Sequence, residues 1–378
     1  MAHKKRPDLS GKTHTLRDWM QTLLFFGILA FFLIGSLLLP DAGFSKSERR
    51  KLASAPKWSL EAIMNGSAQV QLESYASDQL IGREALLKLV SLSRIALYQN
   101  LDDEGMISKD GSLIKVERQI SEDSLNHAAD VFASIYEKNL KNTKCKIYFS
   151  IIPDKSYFLE NGQYLNMDYA AFFEKAEQIL GFGQNIPIAD TLSLNDYYYT
   201  DPHWRQEKLL DTVRTLAKGM HVSILEDYST KEVLKDFIGQ SGGLTMLPHD
   251  QDSLQVLWND SMKDWRVYRY DTGKPVKAEL YDVDKANGLD PYQLFLGGSS
   301  GLIEIDNPLA DSSRQLVVFA DSYGSSLVPL LASGYGQTML VDLRNLPSWR
   351  LKDVIDFTNQ EVLFLYSTSV LNASEALK

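Results

Sequence analysis

The sequence predicts an α/β domain whose parallel sheet is covered by helices on both faces. Two observations carry this. Short apolar runs of strand length recur at Lys146–Ile152, Leu316–Ala320, Thr338–Leu343 and Val362–Tyr366. Between several of them lie longer stretches with helical spacing of apolar residues, and strands alternating with helices argue for a parallel sheet.

The chain has 378 residues and 44% hydrophobic content, with a net charge of −10. Five basic residues (Lys4, Lys5, Arg6, Lys12, Arg17) against Asp8 and Asp18 mark residues 1–22 as a basic tail, so the rest carries −13. No basic tract interleaved with aromatics occurs there, which argues against nucleic acid as a partner. The single cysteine, Cys145, excludes an intrachain disulfide framework. Six histidines without HxxxH or HxH spacing point to no metal site.

Residues 23–39 carry no charge and would span about 26 Å as a helix, close to a bilayer core of about 30 Å. Trp19 sits at the interface position and the basic flank is N-terminal, so the expectation is a single-pass signal anchor in the cell membrane. Its N-terminus would be cytoplasmic and the remainder extracytoplasmic. A cleaved signal peptide is the alternative. Residues 40–58 read as a juxtamembrane linker and 59–378 as the extracytoplasmic domain. Within it, 59–120 forms an N-terminal extension: a helical stretch to Tyr98, then a small edge hairpin around Asp110-Gly111.

The α/β pattern proper begins with a helix at about 123–140 and the strand 146–152. A helix at about 169–180 and a strand at about 186–190 follow. The aromatic loop 195–204 leads into a helix at about 205–220. The run 256–280 alternates like antiparallel strands.

Two short stretches carry candidate chemistry. In Leu316-Val-Val-Phe-Ala-Asp-Ser322 a buried strand stops at a serine and restarts as a helix. This places the Ser322 hydroxyl at the sheet's carboxyl edge beside free backbone N–H groups, which can hold an oxyanion. An ordinary helix cap has the same pattern. Asp201-Pro-His203 offers a base and an orienting carboxylate on one turn; read structurally, Asp201 is a cap, Pro202 the first helical residue and His203 a surface residue.

Residues Tyr198-Tyr-Thr-Asp-Pro-His-Trp204 and Asp321-Ser-Tyr-Gly-Ser-Ser-Leu-Val-Pro329 resemble the DHHW protein family. That family belongs with the AlgJ/AlgX-like, SGNH-hydrolase-like proteins of extracytoplasmic polysaccharide O-acetylation. The resemblance extends over nearly everything after the apolar segment, through Phe44–Arg49, Gly105–Ile107, Ile152–Lys155, Phe295–Gly298 and Val362–Tyr366. It implies a flavodoxin-like three-layer α/β/α fold, with Ser322 as nucleophile, His203 as base and Asp201 as orienter. It further implies an acetyltransferase with a polysaccharide acceptor, whose acetyl donor is supplied by a membrane-bound O-acyltransferase (MBOAT) partner, and no cofactor. An acetylesterase with the same residues, or a non-catalytic polysaccharide-binding or scaffold subunit, remains open. Many members have Gly-Gly-Asn where this chain has Gly297-Gly298-Ser299, which puts the oxyanion site in question. Gly298, Ser299 and Gly242 are oxyanion candidates; Trp204, Tyr199, Tyr323 and Lys155 are candidates for contacting substrate.

Overall fold

The computed structural model describes residues 16–45, 50–56, 58–98, 105–159 and 164–378. The basic residues Lys4, Lys5, Arg6 and Lys12 and residues 46–49 of the linker lie outside them. Contacts divide the chain into two compact units, one reaching Val90 and the other beginning at Ser91. The proposed 59–120 extension is therefore divided: its helices to Val90 belong to the first unit, its hairpin to the second.

In the first unit, Leu16–Leu38 is one 23-residue helix, long and apolar enough to cross a membrane. The helical stretch 59–98, whose last residues lie beyond this unit, is made of three helices (Leu60–Met64, Ser67–Asp78, Arg83–Tyr98). Gly66 and Gly82 cause the breaks, with φ of +79° and +70°, a conformation open to glycine at little cost. The Arg50 guanidinium donates to both Asp78 oxygens, at 2.9 and 2.5 Å, and holds that carboxyl down to about 2.

In the second unit an eight-stranded sheet runs in the order 276–278, 266–269, 302–306, 337–341, 315–320, 361–367, 146–152, 184–185. The last five strands are mutually parallel; the first three attach antiparallel at one edge. The sheet is mixed where the sequence pattern predicted it parallel. Strands 266–269 and 276–278 are joined by six residues, too few for a parallel crossover. The expected strand at 186–190 is only Gln184–Asn185, because Pro187 has no N–H to continue the ladder.

Alternation along the central strands builds two cores. Leu316, Val318, Ala320, Leu363 and Leu365 face the helices Leu210–Gly219 and Gly324–Leu331. Val317, Phe319, Val362, Phe364 and Tyr366 face the helix Glu122–Ile135, whose Leu125, Ala128, Phe132 and Ile135 form its apolar stripe. Three layers result. The chain leaves 315–320 over one face and 337–341 over the other, by the helix Leu351–Val354. The crevice between these strands' carboxyl ends is a topological switch point, where such sheets bind ligands.

The 106–115 hairpin does not lie on an exposed edge. Met106, Ile107, Leu113 and Ile114 are buried, and the Leu113 N–H donates to the Tyr199 carbonyl (2.8 Å).

Candidate active site

Asp201 and His203 sit at the tip of a closed loop. Tyr197 pairs with Trp204, and the Tyr198 N–H donates to the His203 carbonyl (3.1 Å). Two buried charges hold the loop from below. The Asp252 carboxylate accepts from the Tyr199 N–H (2.7 Å), the Thr200 N–H (2.7 Å) and the Thr200 hydroxyl (2.6 Å). The Lys155 ammonium donates to the carbonyls of Leu113 (2.5 Å), Tyr198 (2.8 Å), Tyr199 (3.2 Å) and Asp201 (3.3 Å). Lys155 is thus a buried clamp on the loop, and not a substrate contact.

Desolvation pushes the Lys155 ammonium down to about 7, only partly offset by Asp201 and Asp252. Between there and the ordinary lysine value of about 10.4 the unfolded chain binds a proton that the folded chain lacks, so this group makes stability rise with pH across that window. Denaturant titrations at pH 7 and pH 9 will show this rise in wild type and its loss in Lys155→Met. The variant also strands the four carbonyls and loses about 2–4 kcal/mol of stability.

Ser322 follows the strand Gln315–Ala320 and precedes the helix Gly324–Leu331. The helix start packs hard on the strand: a Cβ on Gly324 would meet the Ala320 Cβ at 2.7 Å. Asp321 shapes the turn, accepting from the Tyr323 N–H (3.0 Å) and from the Ser367 N–H (2.8 Å) and hydroxyl (2.6 Å). The expectation of several free N–H groups here fails. Those of Tyr323, Gly324 and Ser325 already donate to the Asp321 side chain, the Asp321 carbonyl and the Ser322 carbonyl. The Ser322 N–H donates to no described residue.

The two segments are stitched together. The Tyr323 hydroxyl donates to the Pro202 carbonyl (2.6 Å), the Trp204 indole to the Tyr323 carbonyl (3.1 Å) and Ser326 hydroxyl (2.9 Å), and the Gln206 amide to the Ser326 carbonyl (2.7 Å). This brings together groups 119 residues apart: His203 Nε2 lies 2.7 Å from Ser322 Oγ, and His203 Nδ1 lies 2.6 Å from Asp201 Oδ1. Burial alone would raise the Asp201 carboxyl, but the charge and hydrogen bond of His203 and the Gln240 N–H (2.8 Å) bring it below its ordinary value. An ionised carboxylate only accepts, so Nδ1 carries the imidazole proton and Nε2 accepts from the Ser322 hydroxyl.

Ser322 and His203 open on a cleft of about 200 Å³, whose walls include Tyr292, Gly298, Ser299, Asp342 and Arg344. The Tyr292 ring stacks on the imidazole, with centroids 3.9 Å apart and planes at 9°. No spacing in the sequence singled out Tyr292, which lies 89 positions beyond His203. Gly239 packs against the Asp201 turn, where its N–H donates to the Thr200 hydroxyl (2.9 Å). Its backbone passes so close to Asp201 that a Cβ there would lie 2.6 Å from the Asp201 Cα.

The other predicted residues divide. Trp204 is fully buried and Tyr323 is 4% exposed, so both rings pack inside and do not line a sugar groove. Tyr199 lies outside the cleft wall, with the Arg205 guanidinium 5.7 Å over its ring. The Gly242 N–H donates to the Thr200 carbonyl and the Gly298 N–H to the Phe295 carbonyl, which removes both as oxyanion donors. Ser299 reaches the cleft, and its Oγ accepts from the Asn345 amide (2.8 Å), which leaves its own proton to donate. Among the described residues no cluster of three or more His, Cys, Asp or Glu side chains is placed to hold a metal.

A serine hydroxyl on an imidazole, itself on a buried carboxylate, at the carboxyl edge of a three-layer α/β/α sheet is an arrangement chemically able to activate a serine for acyl transfer. No protein-family model and no curated protein matches the sequence. In fold, the chain is similar to a DHHW family protein from Eubacterium siraeum, at 18% identity and a TM-score of 0.58 over 74% of this chain and 95% of that one. It is also similar to Bacillus cereus PatB1 solved with a sulfonyl adduct, at 19% identity and a TM-score of 0.53 over 70% of this chain and 94% of that one. The resemblance to the DHHW family read from the motifs around His203 and Ser322 is therefore matched by the fold.

Proposed function

We propose that this chain is an extracytoplasmic O-acetyltransferase of SGNH type, acting on a secreted or cell-wall polysaccharide through a Ser322–His203–Asp201 triad. The observation that carries the reading is the pair of short contacts, 2.7 Å from Ser322 Oγ to His203 Nε2 and 2.6 Å from His203 Nδ1 to Asp201 Oδ1. Ser322 Oγ attacks the acetyl carbonyl as His203 takes its proton. The oxyanion is met by the Ser322 N–H and the Ser299 hydroxyl. His203 then protonates the leaving group, and acetyl-Ser322 remains. A sugar hydroxyl gives its proton to His203 and attacks the acyl carbon, which restores Ser322. Asp201 stays ionised and steadies the imidazolium, and the stacked Tyr292 face favours the cation.

The 16–38 helix anchors the chain in the cell membrane with its N-terminus cytoplasmic. There an MBOAT partner hands the acetyl group outward. The sulfonyl adduct of PatB1, which shares the fold, agrees with a nucleophile in this architecture. The test is a sulfonyl fluoride probe followed by product analysis. Wild type labels at Ser322, Ser322→Ala does not, and an acetyl ester plus oligosaccharide yields acetylated sugar. Acetate as the sole product would replace the transferase by an esterase. Absence of labelling would reduce the chain to a binding subunit.

A further inference from the structure

A second cleft of about 630 Å³ adjoins the Ser322 cleft, and Ser299 and Ser300 line both. We propose that it binds the sugar units next to the one being acetylated, and that the acceptor is an uncharged, hydroxyl-rich glycan. This deepens the transferase reading and rests on it. The volume falls in the range of a small-molecule site. Its walls carry the carboxylates of Asp271 and Asp353, the amide of Asn345 and the guanidinium of Arg350. Flat groups of this kind pair with the neighbouring hydroxyls of a sugar ring. Trp349, beside Arg350 in the chain, is 66% exposed and offers an aromatic face of the kind that packs on the apolar side of a sugar.

The shared wall is stiff. Arg269 donates to the Asp271 carboxylate (2.9 Å) and to the carbonyls of Leu296 (2.9 Å), Gly298 (3.1 Å) and Ser299 (2.8 Å). The Ser300 hydroxyl donates to the other Asp271 oxygen (2.5 Å). A glycan crossing this wall is held in register with Ser322. Charge selects the acceptor. Arg350 and Asp353 form no ion pair with a described residue and set opposite charges in one cleft, while residues 23–378 carry −13, which repels a polyanion.

The experiment uses the full chain in detergent, as wild type, Arg350→Ala and Asp353→Ala, with calorimetric binding of cellohexaose, chitohexaose, their monosaccharides and hexagalacturonate. Melting temperatures check that the variants fold; both replaced side chains are exposed. The expected result is that a neutral hexasaccharide binds at least tenfold tighter than its monosaccharide, and that each substitution removes most of that gain. The proposal is overturned if neither neutral hexasaccharide outbinds its monosaccharide, if the gain survives both substitutions, or if hexagalacturonate binds tightest. Absence of Ser322 labelling in wild type overturns the functional reading alone, because the affinities decide the cleft without any turnover.

Discussion

Ser322→Ala abolishes covalent labelling and lowers acetyl transfer by about 10⁶-fold, His203→Ala falls to the same floor, and the double variant falls no further. Nucleophile and base act as one unit, because a serine hydroxyl near its free pKa attacks an ester poorly without proton removal in the same step. The 2.7 Å contact between Ser322 Oγ and His203 Nε2 is the route for that proton. Asp201→Asn loses less, about 10⁴-fold. The amide places a donor opposite Nδ1, turns the imidazole to the wrong tautomer and leaves the imidazolium unsupported. Steady-state rates with a simple acetyl ester and an oligosaccharide acceptor check all four variants. Equal, modest losses across them would show that the three side chains are structural neighbours and do not cooperate in chemistry.

Gly239→Ala also lowers the rate strongly, although it replaces nothing that touches substrate. Gly239 has φ −83° and ψ −174°, which any residue adopts, so backbone freedom is not the reason for glycine. The reason is space: the added methyl would lie 2.6 Å from the Asp201 Cα. Nor can the Asp201 turn yield freely, since the Gly239 N–H donates to the Thr200 hydroxyl (2.9 Å) and the Gln240 N–H to the Asp201 carboxylate (2.8 Å). A shift of about 1 Å in the orienting carboxylate costs about 10²-fold in kcat. Overpacking adds a stability loss of about 1–3 kcal/mol. Paired kcat and melting measurements separate the two. A variant with lower Tm and full kcat would show that the close approach serves packing alone.

The central strands were legible because strands buried on both faces read as unbroken apolar runs, as in Leu316–Ala320 and Val362–Tyr366. The antiparallel strands 266–269 and 276–278 were legible as the alternation over 256–280, but their attachment to the main sheet was not, because they are short and half-exposed and resemble any hairpin. In the site, Ser322, His203 and Asp201 stood out through two local motifs. What the sequence hid is long-range. Lys155 looks like a solvated lysine until the loop carbonyls close over its ammonium. Trp204 and Tyr323 look like surface aromatics until each finds its hydrogen-bond partner across 119 or more positions. Tyr292 stacks on a ring with which it shares no element, and Gly239 is constrained by Asp201, thirty-eight positions away. Local pattern identifies reacting groups. The residues that aim them are set by packing between distant segments, which leaves no periodicity to read.

The most direct test of the account is intact-protein and peptide mass spectrometry of the full chain quenched during turnover of a simple acetyl ester. The account predicts one acetyl group on Ser322 in wild type and in Asp201→Asn at a slower rate, and none in Ser322→Ala. Acetate release without a Ser322 adduct, or an adduct on another residue that persists in Ser322→Ala, would contradict it.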